Sequence, residues 1–145
     1  MTGGAPSLAG LWAVVVNWNG GAEDNLRCLR SLVEQGLTEA RIAFVDNGSV
    51  DGSREAVAAE FPALARIDNA SNLGFGEAAN QGARLALERG AEAVVFVNND
   101  LRFPPGERVL EALVDALAAD RRLGLVGPRV LFDDGTERVW CAGGR

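Results

Sequence analysis

The feature that most constrains this chain is a run of short, mainly apolar segments, each separated from the next by a stretch with helical periodicity. Leu11 to Val16 (LWAVVV), Arg41 to Val45 (RIAFV), Leu64 to Ile67 and Ala93 to Val97 (AVVFV) are such segments. Leu11 to Val16 lacks the polar–apolar alternation of a strand with one wet face, as expected of a strand buried on both faces; Leu64 to Ile67, which carries Arg66, is the weakest of the four. Between them, Leu26, Leu29, Leu32 and Val33 fall at helical spacing before a stop at Gly36. Ser49 to Phe61 reads as a second helix capped by Asp51 or Ser49, with Pro62 just past its end. Gly76 to Arg89 reads as a third, closed by Gly90. Pro105 opens a fourth, with Val109, Leu110, Leu113, Val114 and Leu117 on one face. Leu123 to Val126 adds a further strand and Val130 to Phe132 an extended segment. The alternation predicts an α/β fold, a mainly parallel sheet with helices on both faces.

The 145 residues suit one domain, 11–145, preceded by a small, Gly/Pro-bearing segment at 1–10 read as a flexible tail. That segment lacks the basic start and long apolar stretch of a signal peptide. No apolar run approaches the roughly 20 residues of a membrane helix. A net charge of −6 argues against nucleic-acid binding through a basic face. Cys28 and Cys141 have no CxxC spacing, which suits two reduced thiols in a cytoplasmic protein. Histidine is absent, so proton transfer or metal binding in this segment falls to carboxylates.

In an open parallel sheet, ligands bind beyond the carboxyl ends of the strands. The four strand ends carry Asn17-Trp18-Asn19-Gly20-Gly21, Asp46-Asn47-Gly48-Ser49-Val50-Asp51-Gly52-Ser53, Asp68-Asn69-Ala70-Ser71-Asn72-Leu73-Gly74-Phe75-Gly76 and Asn98-Asn99-Asp100. Turn chemistry alone enriches Asn, Asp and Gly, but four such clusters on one edge exceed that need. Together they match a nucleoside diphosphate. Trp18 offers a platform for the base, Asp46 an acceptor for its imide N–H, and Asn98 an acceptor for the ribose. Phe75 reads as packing. The edge is acidic, so the diphosphate needs a hard divalent cation, Mg²⁺ or Mn²⁺, shared with Asp100. Gly74 and Gly76 allow close backbone approach ahead of a helix start.

The segments VVVNWNG, VDNGSVDGS, NLGFGEAANQGARLA and VVFVNND, in this order, resemble the successive blocks of family 2, GT-A-fold glycosyltransferases, in the flavour of rhamnosyltransferase-like enzymes of bacterial cell-envelope polysaccharide synthesis. Gly127-Pro128-Arg129 and Asp133-Asp134-Gly135 also look like this branch. The resemblance covers about residues 11 to 135. It implies an inverting transferase that takes a nucleoside-diphosphate sugar as donor and a saccharide or lipid-linked hydroxyl as acceptor. It implies that Val16, Asn17 and Trp18 embrace the base and that Asp46 contacts it. Asn72, Gly74 and Asn80 would line the donor pocket, and Asn98-Asn99-Asp100 would stand for the family's D-x-D-like motif. With Asn98 in the first position, Asp100 is the sole carboxylate for the metal.

The family's catalytic base is an acidic residue in the second half of the domain, which implies a position downstream of Arg145. No catalytic residue is assigned here, and Asp133 and Asp134 are poor substitutes. The chain is therefore expected to be a donor half, inactive in transfer by itself. It is also expected to self-associate through surface that the other half covers, with peripheral membrane contact for the full-length protein. Two rivals stand beside this reading. One is a non-catalytic nucleotide-binding or interaction module. The other is an NAD(P)-dependent oxidoreductase, because Gly74-Phe75-Gly76-Glu77-Ala78-Ala79 fits G-x-G-x-x-A with Asp100 beyond it.

Overall fold

β1 (Leu11–Asn17) runs through the middle of the sheet, and the rest of the chain is arranged about it. The computed structural model describes residues 6–142. β2 (Ile42–Asp46), β3 (Ala65–Asp68) and β4 (Ala93–Asn98) complete a sheet of order β3-β2-β1-β4, and every neighbouring pair is parallel. All of β2 and nearly all of β1 are buried, which accounts for their unbroken apolar runs. β3, at the edge, is only partly buried.

Four helices cover the sheet: α1 (Ala22–Glu34), α2 (Ser53–Glu60), α3 (Phe75–Glu88) and α4 (Val109–Ala119). Leu29 and Leu32 of α1, Val57 of α2, and Leu110 and Val114 of α4 share one core with Leu11, Ala13 and Val15 of β1. The opposite face of β1, carrying Trp12, meets Ala86 of α3. α3 lies close to the sheet because it presents Ala78, Ala79, Gly82 and Ala86. A Cβ on Gly82 would stand 2.5 Å from Val14 Cγ1 and 3.1 Å from Val45 Cγ2.

The path of the chain follows from handedness. From β1 to β2 to β3 it steps outward with α1 and α2 on one face. It then reverses to β4, on the far side of β1. A right-handed crossover in the reversed direction puts α3 on the other face. The fold is the expected α/β sheet with helices on both faces. Its switch in strand order lies between β1 and β4, at the ends that carry Asn17 and Asn98.

Several boundaries differ from the sequence expectation. Leu123–Val126 forms no strand, and Leu125 is exposed. Gly124, Gly127 and Pro128 crowd this segment, and such residues weaken a ladder. Instead β5 (Val130–Leu131) and β6 (Val139–Cys141) pair as a separate antiparallel hairpin. Pro105 does not open α4, which starts at Val109, because Gly106 at φ +80° takes the chain off the helical path. α2 starts at Ser53 rather than Ser49, and its N-cap is Gly52. Of the segment read as a tail, 1–5 lies outside the described residues. Leu8–Gly10 forms a short 3-10 turn in which Leu8 packs on the core, and the Gly10 carbonyl accepts from the Glu92 N–H at 2.9 Å.

Candidate functional site

The strand ends form a continuous row. Asn17 pairs with Asp46, Asp46 with Asp68, and Val16 with Asn98. The ladder continues into the loops, where Asn47 N–H donates to the Asn17 carbonyl at 2.7 Å and Asn69 N–H to the Asp46 carbonyl at 2.8 Å. Side chains alternate between faces along a strand. Asn17 shares a face with Val15 and Asp46 with Phe44, towards α1 and α2. Asn47 follows Val45 to the α3 side. Each polar cluster is thereby divided between two networks.

On the α1/α2 side, Asn17 is the centre. Its Nδ2 lies 2.9 Å from Asp46 Oδ1, 3.0 Å from Ser49 Oγ and 2.8 Å from Ser53 Oγ. Its Oδ1 accepts from Gly20 N–H at 3.1 Å, Asn25 Nδ2 at 2.9 Å and Asn99 Nδ2 at 3.1 Å. Asp46 Oδ2 accepts from Ser49 N–H at 2.9 Å. Asn25 Nδ2 also donates to the Gly21 carbonyl at 2.6 Å, and its Oδ1 accepts from Asn99 Nδ2 at 3.3 Å. One buried amide thus ties together the first loop, the second loop, α1, α2 and the turn after β4.

On the α3 side, Asn47 plays the same part. Its Nδ2 donates to Asn72 Oδ1 at 2.8 Å, and its Oδ1 accepts from Leu73 N–H and Asn69 Nδ2, each at 3.1 Å. Asn69 donates onward to Gln81 Oε1 of α3 at 2.8 Å. Asn72 Oδ1 also receives the Gly74 N–H at 2.8 Å. Gly48, at φ +84°, lets the second loop meet the third; a Cβ there would fall 2.6 Å from Ser71 Cα.

The expected site residues therefore divide. Trp18, Asn72, Gly74, Asn80, Asn98 and Asp100 are exposed, and Val16 is half-buried. Asn17 and Asp46 are fully buried. In this conformation Asp46 presents no surface to a ligand, and its oxygens hold Asn17 and the Ser49 N–H. Asn99 is half-buried with its amide turned towards Asn17 and Asn25, whereas Asn98 lies on the α3 side of the sheet. Phe75, expected to pack, is 59% exposed because it sits in the first turn of α3, beyond the sheet. Asp51 is not the helix cap. Its Oδ1 accepts from Ser53 N–H and Oγ, and its Oδ2 from Gly21 N–H at 2.9 Å. The Ser53 hydroxyl, foremost, holds its carboxyl below the ordinary value against a small opposing effect of burial, and the Gly21 and Ser53 N–H groups assist.

Sequence reasoning named Asn47, Ser49 and Ser53 only as members of the second strand-end cluster, and gave Asn25 no part in the site. Asn25 left a signal, as a polar residue at helical spacing with Cys28, Leu29 and Leu32 on the buried face of α1. The thiol of Cys28 approaches the Asn98 carbonyl at 3.5 Å. Burial, and secondarily the negative charge of Asp100, push it up to about 12.

Among the described residues no group of three or more carboxylate or cysteine side chains could hold a metal by itself. Asp100 supplies one exposed hard oxygen donor at the switch point. That suits a divalent ion whose remaining ligands are phosphate oxygens and water. Asp133 is paired with Arg102 at 2.5 Å, and Asp134 with Arg138 at 2.8 Å. The Thr136 hydroxyl and N–H, with Arg138, hold the Asp134 carboxyl below its ordinary range, which makes it a weak base. No helix among the described residues is long and apolar enough to cross a membrane.

Known proteins resemble this chain in sequence and fold. The solved mannosyltransferase PcManGT from Pyrobaculum calidifontis, in complex with GDP-Man and Mn²⁺, superposes with a TM-score of 0.63 at 25% identity, over 79% of this chain and 35% of that one. TarS of S. aureus shares the fold with a TM-score of 0.50 at 21% identity, over 73% of this chain and 19% of that one. The N-acetylglucosaminyl-diphospho-decaprenol L-rhamnosyltransferase of Mycobacterium tuberculosis is 30% identical over 103 residues, 66% of this chain. The chain spans about a third of the length of that relative (33%). The Gly74-Phe75-Gly76 fingerprint lies not on a tight turn after a strand but past the loop 69–73, which removes the basis for an oxidoreductase. The sequence profile of "Glycosyl transferase family 2" matches residues 12–142, and with the strand-end site and the shared fold this shows that the chain belongs to glycosyl transferase family 2.

Proposed function

We propose that this chain is the donor-binding half of an inverting glycosyltransferase that moves a sugar from a nucleoside-diphosphate sugar to a hydroxyl of a saccharide or lipid-linked acceptor in bacterial cell-envelope synthesis. The observation that carries the reading is the division at the strand ends. A buried amide network holds the backbone, while Trp18, Asn98 and Asp100 stand exposed along the switch point. The names of the relatives support the donor class. One is a rhamnosyltransferase, and another is solved with GDP-Man and Mn²⁺.

Trp18 and Val16 offer the base a ring and an apolar wall. Asp46 lies at the floor, where it holds the second loop; contact with a base imide requires that loop to shift. Asn98 faces the ribose. Asn72, Gly74 and Asn80 border the donor from the third loop and α3. Asp100 holds a divalent cation, Mg²⁺ or Mn²⁺, which when bound offsets the charge of the diphosphate. The general base belongs to a part of the protein outside these residues, since Asp133 and Asp134 are tied to arginines. The protein works in the cytoplasm, with the membrane face as the place of contact with a lipid-linked acceptor. Phe96, 52% exposed on β4, marks surface through which copies of this chain associate.

The test is titration of this chain with UDP, dTDP and GDP, with and without Mn²⁺, and with NADH. One nucleoside diphosphate binds in a Mn²⁺-dependent manner, and Asp100→Ala removes that dependence. Trp18→Ala weakens binding by about 1–3 kcal/mol, the worth of stacking one base. Stabilisation by NADH and by none of the diphosphates would sink the reading.

A further inference from the structure

Asn99 lies between two exposed residues, Asn98 and Asp100, yet its own amide turns inward to Asn17 Oδ1 at 3.1 Å and Asn25 Oδ1 at 3.3 Å. The same Asn17 oxygen receives the Gly20 N–H of the loop that carries Trp18. Contact between loop and turn is tight, for a Cβ on Gly20 would fall 2.0 Å from Asn99 Nδ2 and 2.8 Å from Asn17 Oδ1. The turn bearing Asp100 and the loop bearing Trp18 are thus pegged to one buried oxygen. A shift of either alters the hydrogen bonds that hold the other.

We propose that Asn99 is a positioning residue, rather than a ligand contact, that couples the Asp100 turn to the Trp18 loop, so that occupancy of the diphosphate and metal subsite reorders the base subsite. The proposal rests on the donor-site reading above and adds communication between its two ends. Buried polar networks of this kind respond as units rather than as separate pairs.

The test uses inorganic pyrophosphate with Mg²⁺, a ligand that has no base. Calorimetry measures its binding, and tryptophan emission reports the loop. In the wild-type chain, saturation with Mg²⁺ and pyrophosphate shifts an emission component that is absent from Trp18→Phe. In Asn99→Ala, Mg²⁺-dependent binding weakens by about threefold to tenfold, the effect of losing two part-buried hydrogen bonds of modest net worth, and the Trp18 shift at saturation is lost. Gly20→Ala attacks the same contact from the loop side and also loses the shift. Added to Asn99→Ala it weakens binding less than it does alone, because the nearer of the two groups it would strike is gone and only Asn17 Oδ1 is left. An unchanged Trp18 shift in Asn99→Ala at saturation overturns the coupling, as does wild-type binding with no Trp18 shift. Additive losses in the double variant overturn it too. Failure of the wild-type chain to bind pyrophosphate with Mg²⁺ is a different result, because it strikes the donor-site reading itself.

Discussion

Asn17 and Asp46 stand opposite each other at the ends of two parallel strands, and the Asn17 amide donates to the Asp46 carboxylate at 2.9 Å with both residues fully buried. A carboxylate shut away from water depends on such donors. Asn17→Ala leaves Asp46 with only the Ser49 N–H and releases Gly20, Asn25 and Asn99. The expected loss of stability is about 3 kcal/mol, read by urea unfolding. Asn17→Asp brings a second carboxylate into the same cavity. The new group also accepts where the amide donated, so Asn17→Asp lowers the urea midpoint at neutral pH further than Asn17→Ala does. A smaller loss in Asn17→Asp than in Asn17→Ala would refute this account.

Two glycines of α3 have opposite fates. Gly82 faces Val14 and Val45, and a Cβ there has no room. Gly82→Ala costs about 1–3 kcal/mol by lifting α3 from the sheet, reduced by the better helix propensity of alanine. Gly76, in the first turn of the same helix, faces open space. Gly76→Ala stabilises by about 0.5–1 kcal/mol. Thermal melts that rank the two variants the other way would show that α3 does not rest on Val14 and Val45.

Asp51 links the first loop to the start of α2, and its carboxyl is held below the ordinary value of 3.8, foremost by the Ser53 hydroxyl. A depressed carboxyl contributes stability that is present above the unfolded pKa and lost as pH falls through the folded one. The difference in melting temperature between the wild-type chain and Asp51→Ala is therefore steady at neutral pH and closes below pH 3.8. Asp51 is exposed, so the difference is small and shrinks in salt.

Cys28 is buried beneath the turn after β4, and its thiol is pushed up to about 12. It is therefore protonated and shielded at pH 8, and inert to an aromatic disulfide reagent in the folded chain. Reaction at Cys28 follows unfolding, so its rate tracks denaturant. Asp100→Ala leaves it unreactive, because burial outweighs the charge of Asp100. Fast labelling of Cys28 in the native protein contradicts this placement.

The periodicities of the chain were enough to locate the four main strands and four helices, because strands buried on both faces and helices with one apolar stripe leave different patterns. What escaped depended on backbone angles or on partners distant in sequence. Gly52 and Gly106 take positive φ and delay the starts of α2 and α4. Leu123–Val126 has strand-forming residues but no neighbour to pair with among the described residues. The convergence of the strand-end clusters on one edge was legible, but not the division of labour within them. That division follows from parity, since Asp46 and Asn47 are adjacent and point to opposite faces. Asn25, on the buried stripe of α1, shows that a polar residue on a largely apolar helix face can belong to the strand-end network.

The hydrogen bonds that fix the first loop run through Asn17, the Asn19 N–H and side chain, the Gly20 and Gly21 N–H groups and the Gly21 carbonyl, while the Trp18 ring projects outward, 57% exposed. Where the loop lies and what it can grip are thus written in different atoms. If the proposed donor site holds, an exchange at position 18 alters recognition without redrawing the scaffold, and new selectivity at this edge is within reach of a single codon.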